Sequence, residues 1–366
     1  MGDFEMMKKT TSALAVAALL GTGAASAATF QVNEDATISI GGDFQMAYSS
    51  TTDRTGTDQT GFVDNGTSLV FSGEHAADNG LTTFFNLDLD GFDTTQDDQA
   101  NQGNVVDEAS VGVRGAFGEI RVGSDVGVYD DYADFGDIEW IGNRTSFSNS
   151  DVSDVIQYSN TVGAVDFTLQ AQVGDQSSED ATTDLNANPN ATAAQIDDVT
   201  DAAAGESSTS LGAGASIDLG GVTLSGAYEE DNNDDEDAIF GIGAMATLGG
   251  VDFTVGYEED QVEANSIDKV VLNAAYTVNA ITVTGSVQNV SFDSIPNNAA
   301  QGDDGRLENT EDPESNINQD DDSFTETNLS IAYSMTPQVT LWAEAIRNDR
   351  LNDEGDYNAV GLFYAW

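Results

Sequence analysis

The feature that most constrains this chain is a period of two. From Lys269 to Val278, the residues Val270, Leu272, Ala274, Tyr276 and Val278 alternate with Lys269, Val271, Asn273, Ala275 and Thr277. That is the spacing of a β-strand with one apolar face. The next segment repeats it, with Ile281, Val283, Gly285 and Val287 against Thr282, Thr284, Ser286 and Gln288, so the short joint between them predicts a hairpin. Leu81–Leu89, Val165–Val173 and Val251–Tyr257 carry the same two-sided pattern. Counting along the chain gives about sixteen such segments, many of them near the ten-residue length of a membrane-crossing strand. Among the expected strands are 36–49, 66–74, 107–116, 118–124, 268–278, 281–292 and 356–366. Short joints such as Gly249-Gly250 interleave with long polar stretches at 50–65, 91–106, 125–150, 176–206 and 293–324.

Composition removes several classes of function. Ten Lys+Arg stand against 65 Asp+Glu, a formal charge of −55, which repels a phosphate backbone and excludes nucleic acid as a partner. With no Cys and one histidine, His75, there is no disulfide framework, thiol nucleophile or multi-histidine metal centre. No cofactor is expected. The acidic runs 231–237 and 320–322 lack the Gly and Glu positions of a calcium-binding EF-hand and read as solvated loops that bind divalent cations loosely at most. Gly212-Ala213-Gly214 and Gly241-Ile242-Gly243 lie inside strand patterns with no helix following. They suit barrel bending or close packing, not a dinucleotide.

The amino terminus reads as a targeting segment, 1–27. Lys8 and Lys9 precede the apolar run Ala13–Leu20, and Ala25-Ser26-Ala27 has the small residues of a cleavage site. Asp3 and Glu5 are unusual ahead of a basic region, so Met6 or Met7 is a candidate start. Two acids and two bases leave with this segment, and the net charge does not change. The exported body, 28–366, has no run of about 20 apolar residues to form a membrane helix. Alternation resolves what hydropathy alone would call soluble. An outward face of Val, Leu, Ile, Phe and Tyr finds its simplest apolar partner in lipid, and in lipid a sheet must close to satisfy its backbone. The expected fold is all-β: a transmembrane up-and-down antiparallel barrel with short turns at one end, long loops at the other and a water-filled bore.

At this point the residues resemble a known family. Thr67–Glu74 with Asp78-Asn79-Gly80-Leu81, the strand–turn–strand run Ser110–Gly123 with Phe117-Gly118 at its turn, and Asp154–Ser159 are similar to strands of the general porins of Gram-negative bacteria. The family usually ends on Phe; this chain ends on Trp366. The resemblance implies a passive channel for small ions and hydrophilic solutes, a homotrimer, an outer-membrane location and contact with lipopolysaccharide. It also implies that the third loop, about 125–150, folds into the bore. Asp125, Asp130, Asp131, Asp134, Asp137 and Glu139 would then form the acidic side of a constriction. Arg114, Arg121 and, nearer the loop's end, Arg144 would form the basic side. Val360, Leu362, Tyr364 and Trp366 share one face of the last strand and resemble the signal read by the barrel-assembly machinery.

Where most of the family carries basic wall residues, strand parity here puts Asp88, Asp90, Asp166, Glu229, Asp252 and Glu258 on the wet face, so the bore is expected to favour cations. Two alternatives are an exported hydrolase working through paired carboxylates and a barrel acting mainly as an adhesin. No carboxylate pair stands out for the first.

Overall fold

The computed structural model describes residues 27–52, 57–90, 106–125, 127–136, 140, 147, 152–173, 209–230, 238–262, 265–292, 299–301, 307–309, 323–349 and 356–366. The expected signal segment up to Ser26 lies outside them, as do Asp137, Glu139 and Arg144.

The strands are β1 (Ala28–Asn33), β2 (Ala36–Thr52), β3 (Asp58–Asp64), β4 (Ser68–Ala76), β5 (Thr82–Leu89), β6 (Ala109–Gly115) and β7 (Gly118–Asp125). After a short helix, α1 (Val128–Tyr132), come β8 (Val152–Val162), β9 (Val165–Val173), β10 (Thr209–Asp218), β11 (Val222–Glu230), β12 (Ala238–Leu248) and β13 (Val251–Val262). Next are β14 (Asn265–Val278), β15 (Ile281–Phe292), β16 (Ala299–Gln301), β17 (Leu307–Asn309), β18 (Ser323–Thr336), β19 (Val339–Asn348) and β20 (Tyr357–Ala365). Each main strand pairs antiparallel with its neighbour in the chain, and β20 pairs with β2 from Asp43↔Ala365 to Thr51↔Tyr357. That last pairing closes a ring of sixteen strands. A ring of this size leaves an aqueous interior.

The two-residue period is visible in the burial pattern. On β14, Val270, Leu272 and Tyr276 face out and are exposed, while Lys269, Val271, Asn273 and Ala275 face in and are buried. Register carries this parity across the sheet: Glu229 pairs with Ile239, Gly241 with Glu258, and Glu258 with Lys269, all inward. Tight turns need left-handed backbone. Gly249 and Gly250 supply it at no steric cost (φ +62° and +83°), and Asn279 (φ +55°) does so between β14 and β15.

Three details differ from the sequence reading. β1 forms a hairpin with the lower half of β2, in a stretch given no strand. The expected strand 66–74 is β4, but β3 lies inside the expected loop 50–65; both pair with the 17-residue β2 and are separated at Asn65-Gly66-Thr67, where Gly66 is left-handed (φ +84°). The hairpin β16–β17 sits inside the expected loop 293–324.

Candidate pore and its inner loop

The segment after β7 turns inward and packs on the inner face of the barrel. It departs beside a left-handed Gly123 (φ +144°), where a β-carbon would strike the Ala109 carbonyl, and the chain re-enters β8 past Asp154 (φ +55°). The β7–β8 register shifts between Gly123 and Asp125. Such irregularities re-aim a strand end.

Glycines on the inner wall receive the loop. A β-carbon on Gly212 would lie within 3.0 Å of Val128, and one on Gly214 equally close to Tyr132. Gly241 does the same for Ala133, and Gly243 and Gly256 for the Phe135 ring. Close packing is thus the reason these strand positions lack side chains. Val128, Tyr129, Tyr132, Ala133 and Phe135 are all buried here.

Polar contacts fix the same stretch. The Tyr129 amide donates to Glu229 Oε2 at 3.1 Å, and the Tyr129 hydroxyl donates to Glu258 Oε2 at 2.6 Å. The Phe135 amide donates to Glu258 Oε1 at 3.2 Å. Ser225 donates to the Tyr132 carbonyl at 2.8 Å, and Asn273 Nδ2 to the Phe135 carbonyl at 2.6 Å. Burial, then the negative charges of Glu258 and Asp134, push the Tyr129 phenol well above its usual pKa, so it remains a donor at neutral pH.

Lys269, on β14, completes this anchor. Its Nζ lies 2.6 Å from Glu258 Oε2, 3.8 Å from Asp134 Oδ1 and 4.8 Å from the centre of the Phe147 ring, and it is wholly buried. Sequence reasoning placed Lys269 on the wet face but gave it no role. In a chain with ten Lys+Arg, a lysine at an inward strand position was the available signal.

A second anchor is aromatic. Trp140 stacks on Trp342 of β19 with ring centres 5.6 Å apart and meets Phe363 edge-on at 6.2 Å. The Trp140 amide donates to Glu344 Oε1 at 3.2 Å, and Asn65 Nδ2 donates to the Trp140 carbonyl. Among the described residues, 127–136 thus lie against β9–β14, and Trp140 lies against β19, β20 and β2.

The expected site residues fall into distinct places. Asp130 and Asp131 are half-buried on α1, and Asp134 is buried beside Lys269. Asp125 ends β7. Arg114 and Arg121 are on the inward register, but their described ion pairs are with the wall: Arg114 with Glu74 and, at 4.0 Å, Glu119, and Arg121 with Glu119 at 3.3 Å. Arg114 also lies over the Phe84 ring at 5.4 Å. Lys269 meets the loop through Asp134 and Phe147.

The inward carboxylates divide as well. Asp166 and Asp252 are half-buried near the short-turn mouth, bonded to Thr161 and Thr247; Asp88 and Asp90 lie toward the long-loop mouth. Glu229 and Glu258 also point inward, but the loop covers them (2% and 0% exposed). Val360, Leu362, Tyr364 and Trp366 all face outward and exposed, on a strand paired along both edges.

A closed sixteen-stranded ring with an oily exterior, a polar interior and a loop laid along its inner wall is a transmembrane pore. The family model for Gram-negative porins matches residues 11–353, and the chain belongs to that family. It is 24% identical to a "Monosaccharide porin" of a Halomonas species and to the "Major outer membrane protein" of Halomonas elongata, each alignment covering 98% of this chain and 100% of the relative. Among solved structures, the anion-selective porin from Comamonas acidovorans shares the fold (TM-score 0.66, 14% identity, 91% of this chain and 100% of that one). So does a Rhodopseudomonas blastica porin mutant (TM-score 0.58, 16% identity, 90% and 100%). The chain is an outer-membrane channel for solutes.

Proposed function

We propose that this channel conducts passively and favours small cations over anions. The observation that carries the reading is the imbalance of inward charge. Among the described residues, Asp88, Asp90, Asp166 and Asp252 face inward and are partly covered near the two mouths, while the inward cations Arg114, Arg121 and Lys269 each have a carboxylate of their own beside them, so inward negative charge exceeds positive. Carboxylates lining a water-filled path raise the local cation concentration and repel anions. Sharing a fold with an anion-selective porin does not bear on this, because selectivity resides in the side chains that line the bore. The test is the reversal potential of purified protein in planar bilayers under a salt gradient. Cation preference should be stronger at about 0.01 M than at about 1 M salt, where the screening length falls from ~30 Å to ~3 Å. Chloride preference at low salt would overturn it.

The name of the Halomonas relative adds neutral sugars as a cargo to test. Export by cleavage after Ala27, a homotrimeric assembly, contact of the acidic loops with lipopolysaccharide through divalent cations, and recognition of the outward Val360–Trp366 face by the barrel-assembly machinery belong to the same proposal. Constriction by Asp125, Asp130, Asp131 and Asp134 against the wall belongs to it too.

A further inference from the structure

We propose that Lys269 is the positioning residue of the pore loop: its ammonium fixes the loop against the wall and thereby holds the bore open. The inference rests on the channel reading but concerns a residue that solutes do not touch. Lys269 is wholly buried, so it adds nothing to the accessible surface of the bore. Burying an ammonium is unfavourable unless partners surround it, and here the partners come from both the barrel and the loop.

Glu258, directly across the β13–β14 ladder, supplies the barrel side at 2.6 Å. From the loop, the outgoing limb brings Asp134 to 3.8 Å, and the returning limb brings the Phe147 ring to 4.8 Å. Gly136 belongs to the same arrangement, since a β-carbon there would lie 3.0 Å from Nζ. One group thus joins the wall to the loop on its way out and on its way back. Glu258 extends the clamp by accepting from the Tyr129 hydroxyl and the Phe135 amide. Without the ammonium, Glu258 and Asp134 lose the cation they share; two buried like charges are unfavourable, so a carboxyl takes up a proton and the ionic contact that holds the loop down is gone. A loop lifted off its wall stands in the path of solutes.

The test compares the parent with K269M, K269R and D134N, full length, folded into the same lipid. Heat-modifiable gel migration reports the barrel; single-channel recordings report the loop. K269M is expected to keep heat-modifiable migration while showing several-fold more open-channel noise, frequent partial closures and slower liposome swelling with the largest permeant solutes. K269R should return quiet openings. D134N, which removes only the loop's carboxylate, should move noise the same way to a smaller extent, and it decides the matter if K269M does not insert. K269M and D134N channels with the parent's noise, conductance and size cut-off would overturn the assignment. A parent that forms no channels at all would instead defeat the channel reading.

Discussion

Trp140 of the inner loop lies almost parallel to Trp342 of β19, with 10° between the ring planes and 5.6 Å between their centres. The two residues are 202 positions apart in sequence, and their stack ties the far reach of the loop to the wall, away from the Lys269 clamp. An offset aromatic pair contributes about 1 kcal/mol beyond the area it buries. Trp140→Ala is therefore expected to leave the barrel's thermal unfolding nearly unchanged but to loosen this end of the loop. Faster proteolysis within the loop and a changed Trp fluorescence spectrum would report it; parental proteolysis rates would count against the anchor.

Gly256 faces the Phe135 ring so closely that any β-carbon collides with it. Replacing a strand glycine by alanine ordinarily gains about 0.5–1 kcal/mol in backbone entropy. Overpacking a filled site costs about 1–3 kcal/mol, and that larger effect should win. Gly256→Ala is expected to lower the melting temperature or displace the loop, with altered conductance; a simple rise in stability would refute the packing account.

The Tyr129 phenol makes a pH prediction with a definite sign. Its pKa is raised in the packed loop relative to the ordinary value of 10.0, so the packed state holds the proton more tightly than a released one. The stabilisation is complete below the ordinary value and is lost as pH climbs through and beyond it. Channel noise should therefore grow above about pH 10. Tyr129→Phe should remove that alkaline component, which a titration of single-channel noise against pH would detect.

Leu272 projects outward from the middle of β14 and is 54% exposed to the surroundings of the barrel. An arginine on the lipid face near the midplane costs about 2–4 kcal/mol. Leu272→Arg should reduce the folded fraction in urea titrations in bilayers, while Leu272→Met should fold as the parent does. Equal stability of the two variants would mean that this face does not meet hydrocarbon.

The barrel was legible because its rule is local: in β14 and β15 each residue's side follows from its neighbour's, so Leu272 and Asn273 take opposite faces with no knowledge of the rest of the chain. β3 was missed because Asn65-Gly66-Thr67 adds one residue against β2, Met46 pairing with Asp64 but Asp43 with Ser68, so the alternation changes sides between β3 and β4. The loop was harder. Its acidic residues were visible, but their partners were not, since the contact of Asp134 with Lys269 or of Trp140 with Trp342 depends on how a segment without periodicity crosses an enclosed space. Parity put Glu258 and Glu229 on the wet side, yet only the path of the loop reveals that they are covered. The glycines at 212, 214, 241 and 243 carried the clue in the sequence, as a row of missing side chains where something bulky would lie.

Because β2 meets β20, the ring closes between strands far apart in the chain, Asp43 pairing with Ala365. No nascent fragment can therefore be a cylinder. Until the final strand arrives, a meander leaves both of its outermost backbones unbonded, each able to recruit another polypeptide. Truncation near the carboxyl end should accordingly not yield a smaller channel. It should yield an unzipped ribbon that depends on chaperones for its solubility.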